Sequence, residues 1–102
     1  EPYKNFPDAK IIFKNATEDF KNGNLQKAAK EYRYAKDLDM LRFRAPEKIN
    51  SVIENLSEKY GAILVNSDSA LNKASNTGII GNDLMVDHLH PTLRGYQIIG
   101  KT

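Results

Sequence analysis

The chain has no cysteine, which excludes disulfides, thiolate zinc sites and cysteine nucleophiles. It has no long apolar run either. Its unbroken apolar stretches are only a few residues long, far short of the roughly 20 needed to cross a bilayer. No charged leader followed by an apolar stretch marks a signal peptide. Nor does one sign of charge dominate: fifteen Lys and Arg against thirteen Asp and Glu leave a formal net charge of +2, with the signs interleaved. The densest basic group is Arg42, Arg44 and Lys48. Nucleic acid needs basic residues gathered on one face, so this footprint argues against such a partner.

What is present is ordinary. Of 102 residues, 40% are hydrophobic and 27% charged, a balance that argues against disorder, collagen and low complexity. The length fits one compact domain. The chain opens at Glu1 rather than Met, which is expected of a processed protein or a piece of a longer one.

Residues 1–7 read as an irregular lead-in. From Asp8, a natural N-cap, the apolar spacing turns helical through Ala9, Ile12, Phe13, Ala16 and Phe20, until Asn22-Gly23 supplies a stop. A second stripe follows at Leu25, Ala28, Ala29, Tyr32, Ala35 and Leu38, with Asn24 as its N-cap. Lys27 stands where a capping box would place Glu or Gln, and a cation there opposes the helix dipole. So short a link predicts antiparallel packing. Residues 37–45 either extend this helix or run irregularly, with a break before Pro46. Pro46 then suits the first position of a third helix carrying Ile49, Val52, Ile53, Leu56 and Tyr60 on one face and ending at Gly61. The stripes Leu25–Leu38 and Ile49–Tyr60 read as core packing.

Ala62-Ile63-Leu64-Val65-Asn66 is short, continuous and apolar, the pattern of a strand buried on both faces of a parallel sheet. A short helix capped near Ser67 or Asp68 follows, then a loop over residues 75–83. Leu84-Met85-Val86 offers a second strand, and a last helix starts at Pro91 and runs through Leu93, Tyr96, Ile98 and Ile99. Gly95 weakens that helix by roughly 1 kcal/mol relative to Ala. A lone buried strand leaves backbone groups unpaired, and a stable sheet usually has three or more strands. The expectation is therefore a mostly helical α/β fragment, incomplete on its own. It would carry one or two short strands of the parallel sheet of a larger α/β domain. The missing edge would come from the rest of a larger domain or from self-association through the unpaired strand.

The sharpest chemical feature is Asp87-His88-Leu89-His90-Pro91. In a turn, a three-residue spacing lets a carboxylate reach the Nδ1–H of an imidazole, fix its tautomer and stabilise the imidazolium. An imidazole is suited to accepting a serine proton near neutral pH. By spacing alone, the same residues also fit a loop aspartate capping the last helix beside two surface histidines.

The stretch from Gly81 to Tyr96 (GNDLMVDHLHPTLRGY) closely resembles the C-terminal block of SGNH (GDSL-type) hydrolases, which reads Asp-x-x-His-Pro followed by Gly and an apolar helix. The resemblance implies that Asp87 orients the base and that His90 is the base of a Ser-His-Asp triad. His88 falls on a variable position. Phe20 to Asp39, with Gly23, Ala28, Tyr32 and Ala35, looks like one tetratricopeptide-type hairpin, a repeat that some SGNH proteins carry. The likeness covers roughly residues 20–102 and implies that the short strands belong to a doubly wound parallel sheet of the flavodoxin-like kind; the chain as a whole reads as a tetratricopeptide-like helical hairpin over 1–39 and the C-terminal part of the hydrolase domain over 40–102. The family's Gly-Asp-Ser nucleophile block and its oxyanion-hole Gly and Asn are not visible. Ser67-Asp68-Ser69 follows an apolar run, but Ser67 replaces the Gly and too little chain separates it from Asp87.

Two further patterns carry chemistry. His88 and His90 would share a face of an extended segment, and with Asp83 or Asp87 they could hold zinc; three ligands are a thin set for a structural site. Arg42 and Arg44 alternate and could clamp a carboxylate or phosphate, or simply pair with Asp37, Asp39 or Glu47. The resulting expectation is the C-terminal portion of a serine ester hydrolase, supplying Asp87 and His90, needing no cofactor or metal and inactive in isolation. Its partners would be an ester substrate (small-molecule, carbohydrate or lipid) and the remainder of the parent hydrolase. The alternative is a non-catalytic helical interaction module.

Overall fold

The computed structural model describes residues 7–39 and 44–102. The described residues form five helices: α1 (Ala9–Lys21), α2 (Leu25–Leu38), α3 (Glu47–Tyr60), α4 (Ser67–Ala74) and α5 (Leu93–Ile99). They divide into two compact units, which meet in sequence at Glu47 and Lys48.

In the first unit, α1 packs against α2. Asp8 caps α1 by accepting the N–H of Lys10 at 2.8 Å. At the other end the N–H groups of Gly23 and Asn24 return to the carbonyls of Phe20 and Asp19, closing a Schellman motif. That geometry needs the left-handed backbone that Gly23 adopts, φ +82. The contacts run in opposite senses along the two helices: Asp19 pairs with Lys27 at 2.8 Å, and the Phe13 ring meets the Tyr32 ring edge-on at 5.2 Å. The hairpin is therefore antiparallel. Ala16, Ala28 and Ala35 are its buried residues, and side chains this small let the helix backbones approach closely. Lys27, unfavourable against the dipole of α2, is offset by Asp19. The Asn24 side chain makes no cap bond and instead donates to Asp19 Oδ1 at 2.9 Å. Lys27, with Asn24 next, holds the Asp19 carboxyl below its ordinary range.

The second unit corrects the predicted fold class. Among the described residues there is no strand and no sheet, so the doubly wound α/β fragment is not what forms. Residues 62–66 belong to no helix or strand, and both ends are claimed by helices. The Ala62 N–H donates to Ser57 and the Gly61 N–H to Glu58, a second Schellman closure, at the end of α3. Asn66 caps α4, its side chain accepting the Ser69 N–H at 3.0 Å. Three residues are left between, too few for a ladder without a neighbour. Leu84–Val86 is no strand either. Met85 makes a single antiparallel bridge to Pro91.

The α3 stripe is also corrected. This helix has no buried residue, and Ile49, Val52, Ile53 and Leu56 remain half-exposed. The buried groups of the second unit lie instead on α4, on the loop after it and on α5: Leu71, Ser75, Leu84 and Gly95. There α4 packs against α5, and Arg94 donates to the Ala74 carbonyl at 3.2 Å. The lead-in over residues 1–6 and the Arg42 half of the Arg42/Arg44 clamp lie outside the described residues. No described helix is long and apolar enough to cross a membrane.

Candidate active site

Leu84 is fully buried, with 0% of its surface exposed, and it anchors the loop that carries the acidic and imidazole groups. Its N–H and that of Met85 both donate to the Gly81 carbonyl, at 3.0 and 2.9 Å. From there the chain makes a short closed excursion. Val86 N–H donates to the His90 carbonyl at 2.8 Å, and Thr92 N–H returns to the Leu84 carbonyl at 2.8 Å. These two bonds, which constitute the Met85–Pro91 bridge, tie both legs of residues 84–92. Asp87, His88 and Leu89 form the exposed tip.

Asp87 uses both carboxylate oxygens. Oδ1 accepts the backbone N–H groups of Leu89 and His90, each at 2.7 Å. Oδ2 lies 2.8 Å from His90 Nδ1. The backbone bonds form an Asx-type turn, the local closure that an aspartate makes readily. That turn curls the chain so that the ring three residues on meets its own carboxylate.

The same bonds fix the charge. The His90 N–H, then the His90 ring, then the Leu89 N–H hold the Asp87 carboxyl far below its ordinary range. Asp87 is therefore ionised at neutral pH and can only accept. Nδ1 must carry the proton, which leaves Nε2 of the neutral ring with its lone pair. The His90 side chain is 63% exposed, so an incoming group can reach it.

The structure thus brings together the two residues singled out from sequence, Asp87 and His90. Among the described residues no serine hydroxyl is hydrogen-bonded to His90. Ser67 and Ser69 lie in the first turn of α4, where the Ser69 backbone N–H donates to the Asn66 side chain at 3.0 Å. Asp83, offered as a metal ligand, accepts the Gly81 N–H at 3.3 Å within its own loop. Among the described residues, no three His, Cys, Asp or Glu side chains are gathered as a metal-binding set.

Sequence reasoning missed the base of the loop. Pro91 is not the first residue of the last helix. α5 begins at Leu93, with Thr92 as N-cap accepting the Gly95 N–H at 3.2 Å. The available signal was a threonine placed directly before an apolar helical stripe. Compared with known proteins, the chain matches no family model, no curated protein and no solved structure.

Proposed function

We propose that this chain supplies the Asp-His half of a serine ester hydrolase of the SGNH type, with His90 as general base and Asp87 as its orienting carboxylate. The observation that carries the reading is the 2.8 Å contact between Asp87 Oδ2 and His90 Nδ1, made by a carboxylate already ionised and locked by two backbone N–H bonds.

The chemistry follows from the tautomer. Neutral His90 takes the proton of a serine hydroxyl at Nε2 as the serine oxygen attacks the ester carbonyl. The imidazolium is stabilised by Asp87 and returns the proton to the departing alkoxide, so that an alcohol leaves and an acyl-enzyme remains. Water repeats the sequence and releases the acid. The serine and the oxyanion donors belong to the remainder of the parent hydrolase. Such a partner would find exposed apolar surface to cover, including Ile63, which is 94% exposed.

The test is made on the full reading frame containing these residues, using p-nitrophenyl acetate and a fluorophosphonate probe. A serine should label, and His90→Ala should abolish both labelling and turnover. Asp87→Asn should lower turnover by about 10⁴-fold, as tautomer loss does in Ser-His-Asp enzymes. The 102-residue chain alone should hydrolyse nothing. If no serine labels, the hydrolase reading fails. The hairpin then remains as an interaction module, a reading favoured by the exposed Ile11, Phe13 and Tyr34 on α1 and α2.

A further inference from the structure

We propose that Gly95 and Thr92 are positioning residues for the Asp87–His90 pair, clamping both legs of its loop against the first turn of α5. Gly95 is buried, and it meets one atom from each leg. A Cβ built on it would lie 2.5 Å from the Leu84 carbonyl oxygen and 2.9 Å from the Pro91 Cβ. Neither neighbour can turn aside cheaply, since one is backbone and the other a proline ring. Leu84 opens the loop; Pro91 closes it, directly after His90. The glycine therefore sets how closely the helix approaches both ends of the loop at once.

Thr92 completes the clamp. Its hydroxyl donates to the Leu84 carbonyl at 3.2 Å and accepts the Gly95 N–H at 3.2 Å. Its own N–H donates to the same Leu84 carbonyl at 2.8 Å. One carbonyl thus takes two bonds from the helix cap, while the cap residue takes one from the buried glycine. At the tip, by contrast, Asp87 and His90 are exposed. Their geometry depends on the loop staying closed, and the clamp at its base closes it. The bearing of this on catalysis rests on the hydrolase reading above; the geometry does not.

The experiment needs neither substrate nor nucleophile. The 102-residue chain, with ¹⁵N in its histidine rings and ¹³C in its carboxyls, is followed by NMR. In the wild type, the His90 nitrogen shifts should report the Nδ1–H tautomer, and Asp87 should titrate below the ordinary carboxylate range. In Gly95→Ala, His90 should lose that tautomer preference and Asp87 should return toward the ordinary value of about 3.9. Gly100→Ala is the control, because a Cβ there would meet the Tyr96 carbonyl oxygen at 3.4 Å; both signals should stay put. If Gly95→Ala keeps both wild-type signals, the proposal is overturned. If that variant loses its helical circular dichroism, Thr92 decides. Thr92→Val should shift both signals and Thr92→Ser restore them, whereas wild-type signals in Thr92→Val overturn the clamp. Failure here leaves the serine-labelling test untouched, and the reverse also holds.

Discussion

Helices α1, α2 and α3 are nearly equal in length, and each carries a regular apolar stripe. In the α1–α2 hairpin the two stripes face each other, and three alanines are buried where the helices meet. On α3 the stripe is larger, with Ile49, Val52, Ile53 and Leu56, yet none of it is buried. The difference shows that a 3.6-residue period specifies a helix and a face, but not what covers the face. Small residues seal a joint only when a partner is already one short turn away, as α2 is to α1.

The second unit keeps its buried residues elsewhere, and that location can be attacked directly. Leu84→Ala removes the largest fully buried side chain among the described residues and should destabilise the second unit by about 2–5 kcal/mol, the range for large-to-small core changes. Hydrogen exchange should show protection falling in α4 and α5 while the α1–α2 hairpin keeps its own. Equal loss in both units would break the comparison. In the hairpin the matching insult is overpacking. Ala28→Leu forces a larger side chain into a closed joint and should cost about 1–3 kcal/mol, read from denaturant unfolding of the hairpin amides.

What could be read from sequence divides along the same physical line. The hairpin was legible because its determinants are local: Asp8 as cap, Gly23 as left-handed stop, and the alanine-rich stripe between. The Asp87–His90 contact was legible for the same reason, since an Asx turn needs only three residues. The fold class was misread at Ala62–Asn66 because strand character is not local. Apolar residues in an extended run make a strand only if another segment accepts their N–H groups. Here the two flanking helices take both ends, leaving Ile63, Leu64 and Val65 between. The α3 stripe was misread as core because the pattern is the same whether or not a cover exists. Gly95 was read as a weak helix former; its use in close packing depends on Leu84 and Pro91, which reach it only through the tertiary fold.

The open state of α3 predicts a smaller effect. Val52→Ser changes a side chain that is already half-exposed, between two residues of similar helix propensity. It should cost under about 1 kcal/mol by the same denaturant measurement. A loss as large as that of Leu84→Ala would mean the stripe is covered after all, and the contrast with the hairpin would vanish.

The smallest effect is confined to the Asp87 loop and concerns acid. A carboxyl whose folded pKa is depressed binds its proton more readily in the open loop than in the closed one. Its contribution to closure is present above the ordinary carboxylate range and is lost as pH falls through that range toward the folded value. Lowering the pH from about 5 to 2 should therefore weaken the Oδ1 bonds to the Leu89 and His90 N–H groups. Amide exchange at those two residues should speed up relative to Thr92, whose bond to the Leu84 carbonyl involves no titrating group. Asp19 provides the parallel in the hairpin. Its carboxyl is also depressed, but by Lys27 and Asn24, so acid should loosen the Asp19–Lys27 pair without touching the buried alanines. In Asp87→Asn the acid-dependent acceleration at Leu89 and His90 should disappear while that at the Asp19 site persists. Acceleration that survives the substitution would assign the acid response to a group other than this carboxylate.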